Sequence, residues 1–284
     1  MSTHMKLACV MSGGGAKAAA HVGAHRALEE RGLVPTHYIG TSMGAVVGAC
    51  FASALGHDDV MQRMGSITRR DVAPLSPTLL LGPLAKSVLA GRRLRDTLAR
   101  LVPAREFAEL KTPLTVTAVD VETGRLVLFG AGGDADVPLI DALWASCALP
   151  VYYPPVEIAG RQLADGGLRA VLPLGIAARS QPDLIVAIRV GPSFEAGPAT
   201  SSVPTPPLMR AHNQAMRTLM AAQTDEAIAR WREGPIPLVV VEPRTAIGAT
   251  FAVGNAASYV EEGYRATVAA LDASDHVAGG LENA

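Results

Sequence analysis

Aromatic residues make up only 4% of the chain and charged residues only 18%, against about 25% charged in ordinary soluble domains. The charges also nearly cancel: 25 Lys and Arg against 26 Asp and Glu leave a formal net charge of −1. That balance excludes the basic footprint of a nucleic-acid-binding protein. Long apolar runs are missing as well. Mean hydropathy is positive, +0.25, yet Pro, Gly or charge breaks every apolar stretch before the ~20 residues a spanning helix requires. Cysteine is scarce, and Cys9, Cys50 and Cys147 lie far apart among small and apolar neighbours. Their spacing fits neither a disulfide framework nor a zinc site, so buried free thiols in a reducing compartment are expected. Only Leu7 to Met11 separate Lys6 from Ser12, too short for the apolar region of a secretory signal, and the expected location is the cytoplasm.

What the chain has in abundance is small and apolar: 49% hydrophobic residues over 284 positions, with 28 glycines. Intrinsic disorder is excluded, because such a chain has ample surface to bury. Lys6 to Met11 reads as a strand, followed by the turn Ser12-Gly13-Gly14-Gly15 and an Ala-rich helix from Ala16 to Arg31. His37 to Ile39 reads as a second strand, ending at Gly40-Thr41-Ser42-Met43-Gly44, with a helix of small residues to about Leu55. Strand, glycine turn, helix, strand, tight turn, helix is the beginning of a parallel α/β sheet. The stretch Asp58 to Arg105 has helical character, interrupted by a Pro/Leu-rich piece. Two hairpins are expected, around Glu122-Thr123-Gly124 and around Ala159-Gly160, and Leu139 to Ala148 reads as a short helix. Asp183 to Val190 has the composition of a buried strand. Pro237 to Val241 is expected to be a last strand, between helices at about Leu208–Arg232 and Asn255–Leu271. The expectation is one continuous α/β domain over 1–284. Its motifs fall within 6–190, the Pro/Ser/Gly-rich 191–207 is a flexible loop, and 208–273 completes the domain.

Gly40-x-Ser42-x-Gly44 between an apolar strand and a helix is the pattern of a nucleophile elbow. A serine on so sharp a turn needs small neighbours, and the helix start points free N–H groups at a developing oxyanion. The competing reading is a serine N-cap after a glycine turn. Ser12-Gly13-Gly14-Gly15-Ala16-Lys17 exposes consecutive backbone N–H groups suited to an anion. A phosphate loop needs a hydroxyl after its lysine, and Ala18 stands there instead. A dinucleotide loop needs an acidic residue at the end of the second strand, whereas Glu29 and Glu30 lie within the first helix. An oxyanion hole fits the loop better. None of His21, His25, His37, His57, His212 or His276 follows a strand in the way a triad histidine does; the first four read as surface or packing residues. Asp165, just past a strand and followed by Gly166-Gly167, is the better base, with a simple Asp-Gly turn as the alternative.

Taken together, Ser12-Gly-Gly-Gly-Ala-Lys17, Gly40-Thr-Ser42-Met-Gly44 and Asp165-Gly166-Gly167 resemble the patatin-like phospholipases, which use a Ser–Asp dyad without histidine. The resemblance covers most of Lys6 to Val190, including Thr117-Ala-Val-Asp120 and Ala145-Ser-Cys-Ala-Leu-Pro150. It implies a three-layer α/β fold with a mainly parallel sheet flanked by helices. Ser42 would be the nucleophile and Asp165 its base. The N–H groups of Gly13, Gly14, Gly15 and Met43 would form the oxyanion hole, and Lys17, Gly40, Gly44, Gly166 and Gly167 would support it. Ala18 stands where the family usually has glycine, and Arg169 to Leu172 fill a stretch where asparagines are usual.

The implied activity is hydrolysis of carboxylic esters of lipids, of phospholipase A, lysophospholipase or esterase type. The alternatives are a catalytically silent acyl-lipid binding or regulatory protein, and an acyltransferase. No cofactor or metal is expected, and no acidic cluster resembles a calcium loop. The partners are a lipid or other acyl ester and, peripherally, a membrane surface. Leu75 to Leu84 is apolar and precedes a stretch carrying Lys86, Arg92, Arg93, Arg95, Arg100 and Arg105. A basic amphipathic helix beside an apolar loop can lie on lipid, the loop then capping an acyl-binding cleft; the competing reading is a solvated helix face next to a packed loop.

Overall fold

Strand β1 (Leu7–Met11) is buried along its whole length, so both of its faces must be apolar. Its side chains alternate between two cores: Leu7, Cys9 and Met11 join one, Ala8 and Val10 the other. The computed structural model describes residues 5–72, 75–76, 87–192, 207–245 and 253–274. Five parallel strands run in the order β3 (Leu114–Asp120), β2 (His37–Thr41), β1, β7 (Leu184–Ile188) and β8 (Leu238–Val241). Three more strands join by antiparallel pairing, β4 (Leu126–Gly130) and β6 (Arg161–Asp165) with β3, and β5 (Val156–Ile158) with β6.

The larger core lies under α1 (Ala19–Glu30), α2 (Met43–Ala52), α3 (His57–Gly65), α5 (Gly91–Leu101), α6 (Leu139–Ser146) and α9 (Ala256–Asp272). The smaller core lies under α7 (Leu174–Ala177) and α8 (Pro207–Arg232), where Leu172, Leu174 and Ile228 meet Ala8, Val10 and Ile185. A short α4 (Arg69–Val72) packs against α5. The result is a mainly parallel sheet with helices on both faces. Cys9, Cys50 and Cys147 are free thiols, all buried. Among the described residues no helix is long and apolar enough to cross a membrane.

Of the expected acyl cap, 77–84 lie outside the described residues, Leu79 to Leu81 among them, as do 193–206 of the Pro/Ser/Gly-rich loop and His276. Leu75 is described and is 72% exposed. The basic stretch is less basic in effect than its sequence suggests. Arg95 pairs with Asp141 at 2.6 Å and Arg100 with Asp71, while Arg105 donates to the Val102 and Ala99 carbonyls. Arg92 and Arg93 remain exposed on α5.

Helices α1 and α9 cross at two glycines. A Cβ on Gly23 would lie 1.8 Å from the Val260 carbonyl oxygen, and one on Gly263 1.9 Å from that of Ala20. Backbone therefore packs directly on backbone, and the crossing has no room for even a methyl group. Gly263→Ala should lower stability by at least ~1–3 kcal/mol, the usual overpacking cost, read as a drop in thermal midpoint. Gly65→Ala, where an added Cβ meets nothing within 4 Å, should stay within ~0.5 kcal/mol of the parent.

Candidate active site

The sheet brings Ser42 and Asp165 together by sharing one lane beside β3. Strand β2 pairs with β3 up to Thr41 opposite Thr117, and the chain then leaves the sheet at Ser42. Strand β6 runs the other way and pairs Asp165 with the next residue, Ala118. Since β4 takes the opposite edge of β3, with Leu128 facing Thr117 and Val127 facing Ala118, β2 and β6 lie end to end on the same edge. The last residue of β6 thus faces the first residue beyond β2. The Ser42 hydroxyl lies near the Asp165 carboxylate and acts to lower its pKa.

At Ser42 the backbone takes φ +54° and ψ −133°, a conformation that costs a non-glycine residue ~1–3 kcal/mol. The surroundings hold it there. The Ser42 N–H donates to Ser146 Oγ on α6 at 2.8 Å. Cβ atoms on the flanking glycines would collide, at Gly40 with Ala45 Cα (2.3 Å) and at Gly44 with the Met11 and Ser12 carbonyl oxygens (2.4 Å each). Helix α2 therefore begins pressed against the ends of β1 and β2, with Met43 at its first position. The elbow reading of Gly-x-Ser-x-Gly describes this backbone, and the Ser42 side chain makes no cap hydrogen bond.

The glycine loop lies alongside. A Cβ on Gly13 would come within 3.2 Å of Ser42 Cβ, so the loop packs directly on the elbow. The Gly13 N–H donates to the Val171 carbonyl at 3.3 Å. Gly14, Gly15 and Met43 have no hydrogen-bond acceptor for their N–H groups among the described residues. Gly15 has φ +59°, the left-handed conformation natural to glycine. Ser12 fixes the loop from below: its Oγ accepts from the Val190 N–H at 2.8 Å, and its carbonyl accepts from His21 Nε2 at 2.9 Å. Burial pushes the His21 pKa down to about 4, so a neutral imidazole makes this contact.

Asp165 is 4% exposed. Loss of hydration raises its pKa to about 6, against the opposing effect of the Gly167 N–H, which donates at 2.8 Å, and of the nearby Ser42 hydroxyl. Gly166 follows because a side chain there would strike Thr117, whose Oγ1 would lie 2.2 Å from a Cβ. Burial holds the pKa of the Cys147 thiol far above the ordinary range. Helix α8 closes one side of the site. Met220 lies over Gly167, Gln223 Oε1 accepts from the Val171 N–H at 3.2 Å, and Asn213 bonds the Tyr152 hydroxyl. Lys17 is half-buried, and burial together with the nearby Arg217 charge lowers its pKa.

A family model described as patatin-like phospholipase matches residues 9–178. The chain belongs to the patatin-like phospholipase family. An uncharacterised NTE family protein of Mycobacterium tuberculosis is 34% identical over 204 residues, 72% of this chain and 54% of that protein. The human patatin-like phospholipase domain-containing protein 6 is 29% identical over 195 residues, 66% of this chain and 14% of its own length. The chain thus spans about half the length of the first of these curated relatives and a smaller part of the second. In the crystal structure of VipD from Legionella pneumophila, the match covers 94% of this chain and 67% of that chain, with 16% identity and a TM-score of 0.46.

The glycine loop, the Ser42 turn and the Asp165 turn named from sequence lie together in this one region. Sequence reasoning gave no role to His21, Ser146, Cys147 or the α8 side chains. Ser146 and Cys147 belong to a segment already quoted for the resemblance, six residues and one proline turn of it. The α8 contacts come from 40 or more residues beyond the last motif and had no local signal.

The shift at Asp165 has a stability consequence. Its folded pKa of about 6 exceeds the ordinary value of 3.8, so the folded chain binds the proton more tightly than the unfolded chain. The ionised carboxylate therefore costs stability above pH 6, and the cost fades as pH falls toward 4. Asp165→Asn should melt several degrees above the parent at pH 8, on the basis of roughly 2–3 kcal/mol for a shift of about two units. The gap should close near pH 4. A variant that is no more stable at pH 8 than at pH 4, relative to the parent, would contradict this reading.

Proposed function

We propose that the protein is a serine acyl hydrolase that cleaves carboxylic esters of lipids through a Ser42–Asp165 dyad. The observation that carries the proposal is that β2 and β6, end to end on one edge of β3, bring the Ser42 hydroxyl beside a buried carboxylate whose pKa is raised to about 6. Such a carboxylate is mostly ionised at neutral pH and basic enough to accept a proton as the bond to carbon forms. Ser42 Oγ attacks the ester carbonyl carbon and its proton passes to Asp165. The resulting oxyanion faces the N–H groups of Gly14, Gly15 and Met43, with the α2 dipole behind them. Asp165 then returns the proton to the departing alcohol, leaving the acyl group on Ser42. Water then attacks the acyl carbon and loses a proton to Asp165; the bond to Ser42 Oγ breaks, Asp165 returns the proton to the serine oxygen, and the fatty acid leaves. Lys17, Gly40, Gly44, Gly166 and Gly167 keep this geometry without touching the reacting atoms.

The substrate class rests on the family, and two features of the site agree with it. Lys17 and Arg217 place positive charge beside the glycine loop, which suits an ester bearing an anionic headgroup. Helix α8 exposes Leu208, Ala211, Ala215 and Leu219 on one face, Leu208 at 83% and Leu219 at 65%. That stripe next to the site supports peripheral contact with a lipid surface in the cytoplasm. An acyltransferase would share the acyl-enzyme and differ in the acceptor. A silent binding protein has no use for the strained serine and the raised carboxylate, so hydrolysis is the preferred reading.

Ser42→Ala should abolish hydrolysis of phospholipid, lysophospholipid and short nitrophenyl esters, a fall of at least ~1000-fold, with the circular dichroism spectrum unchanged. In the parent, kcat/KM should decline below pH 6 as Asp165 takes up its proton. Turnover that survives in Ser42→Ala, or a parent that hydrolyses none of these esters, would sink the proposal.

A further inference from the structure

Helix α1 carries a column of polar side chains at i, i+4 and i+8: His21, His25 and Glu29. His21 serves the glycine loop, and the other two meet His57 at the start of α3. His25 Nδ1 lies 3.1 Å from His57 Nε2, His57 Nε2 3.2 Å from Glu29 Oε2, and His25 Nδ1 3.8 Å from that same oxygen. The site is remote from Ser42 and takes no part in the chemistry proposed there.

We propose that His25, Glu29 and His57 form a zinc-binding site that ties α1 to α3. Three lone-pair atoms converge on one point, and a single proton shared among them can bridge only one of the three contacts well. A cation satisfies all three. The three separations place an ion about 2.0 Å from each atom, close to the plane they define, and zinc keeps ~2.0–2.2 Å from imidazole nitrogen and carboxylate oxygen. His25 is already oriented for the task. Its ring stacks on Phe51 at 3.7 Å with an interplanar angle of 4°, and its Nε2 bonds the Tyr38 hydroxyl at 2.7 Å. A fixed ring whose far nitrogen is hydrogen-bonded is the usual support of a metal-ligating histidine. With Nε2–H donating to Tyr38, Nδ1 presents its lone pair to the ion. Glu29 and His57 are partly exposed, at 44% and 24%, which gives an entry path and leaves the fourth position to water. The i, i+4 spacing of His25 and Glu29 on one helix is a metal-ligand spacing. The absence of metal expected from sequence followed from reading each histidine alone, because His57 arrives from a different helix.

The test uses the full chain without a histidine tag, stripped with chelator and dialysed. Titration with zinc chloride, followed by calorimetry and elemental analysis, should give one ion per chain. Cobalt(II) in its place should give the intense visible spectrum of a four-coordinate site. His57→Ala should weaken zinc binding at least ~100-fold and abolish that spectrum, and Glu29→Gln should weaken binding while leaving both imidazoles in place. Should His57→Ala fail to fold, Glu29→Gln decides alone. The proposal is overturned if the parent binds no zinc, or if Glu29→Gln and any folded His57→Ala bind it as tightly as the parent does.

Discussion

The site depends on one reversal of the chain. Strand β2 must stop at Thr41 so that β6 can occupy the remainder of the same edge of β3 and deliver Asp165 opposite Ala118. Had β2 continued by even two residues, its backbone would hold the hydrogen bonds that β6 makes, and the carboxylate would lie elsewhere. The stop is enforced at Ser42, where a positive φ turns the chain out of the sheet and directly into α2. Around that turn the glycines act as spacers. Gly40 admits Ala45, Gly44 admits the carbonyls of Met11 and Ser12, Gly13 admits Ser42 itself, and Gly166 admits Thr117.

The same arrangement explains why the site is tuned without a second charge. Among the described residues no cation contributes to the shift at Asp165; burial raises its pKa, and the Gly167 N–H and the nearby Ser42 hydroxyl pull it partway back. A carboxylate in water is too weak a base to activate a serine, whereas one taken out of water moves toward the range where proton transfer is efficient. His21 illustrates the complementary device. It is buried and neutral, and by holding the Ser12 carbonyl it orients the loop whose N–H groups face the site. The proposed function would thus rest on burial, strain and close backbone approach, each of which lowers stability locally and is carried by a large shared core.

Much of this could be read in the sequence because the relevant signals are local. The LACVM and LIVAI runs predict buried strands, and both are observed within two residues of their expected bounds. Gly-x-Ser-x-Gly marks the elbow because only small residues fit there. Features that depend on distant segments were not legible. The bond between Gly13 N–H and the Val171 carbonyl joins residues far apart in the chain. Arg95 and Arg100 read as a basic stripe until Asp141 and Asp71 fold beside them. His57 reads as a packing histidine until α3 carries it to His25 and Glu29.

The central claim is that Ser42 is the residue whose oxygen becomes covalently attached, activated by Asp165. Its most direct test is to treat the folded chain with a fluorophosphonate and locate the adduct by peptide mass spectrometry. The account predicts a single modified residue, Ser42, with a labelling rate that falls sharply in Asp165→Asn. Modification of another serine, or labelling of Ser42 at an undiminished rate in Asp165→Asn, would contradict it.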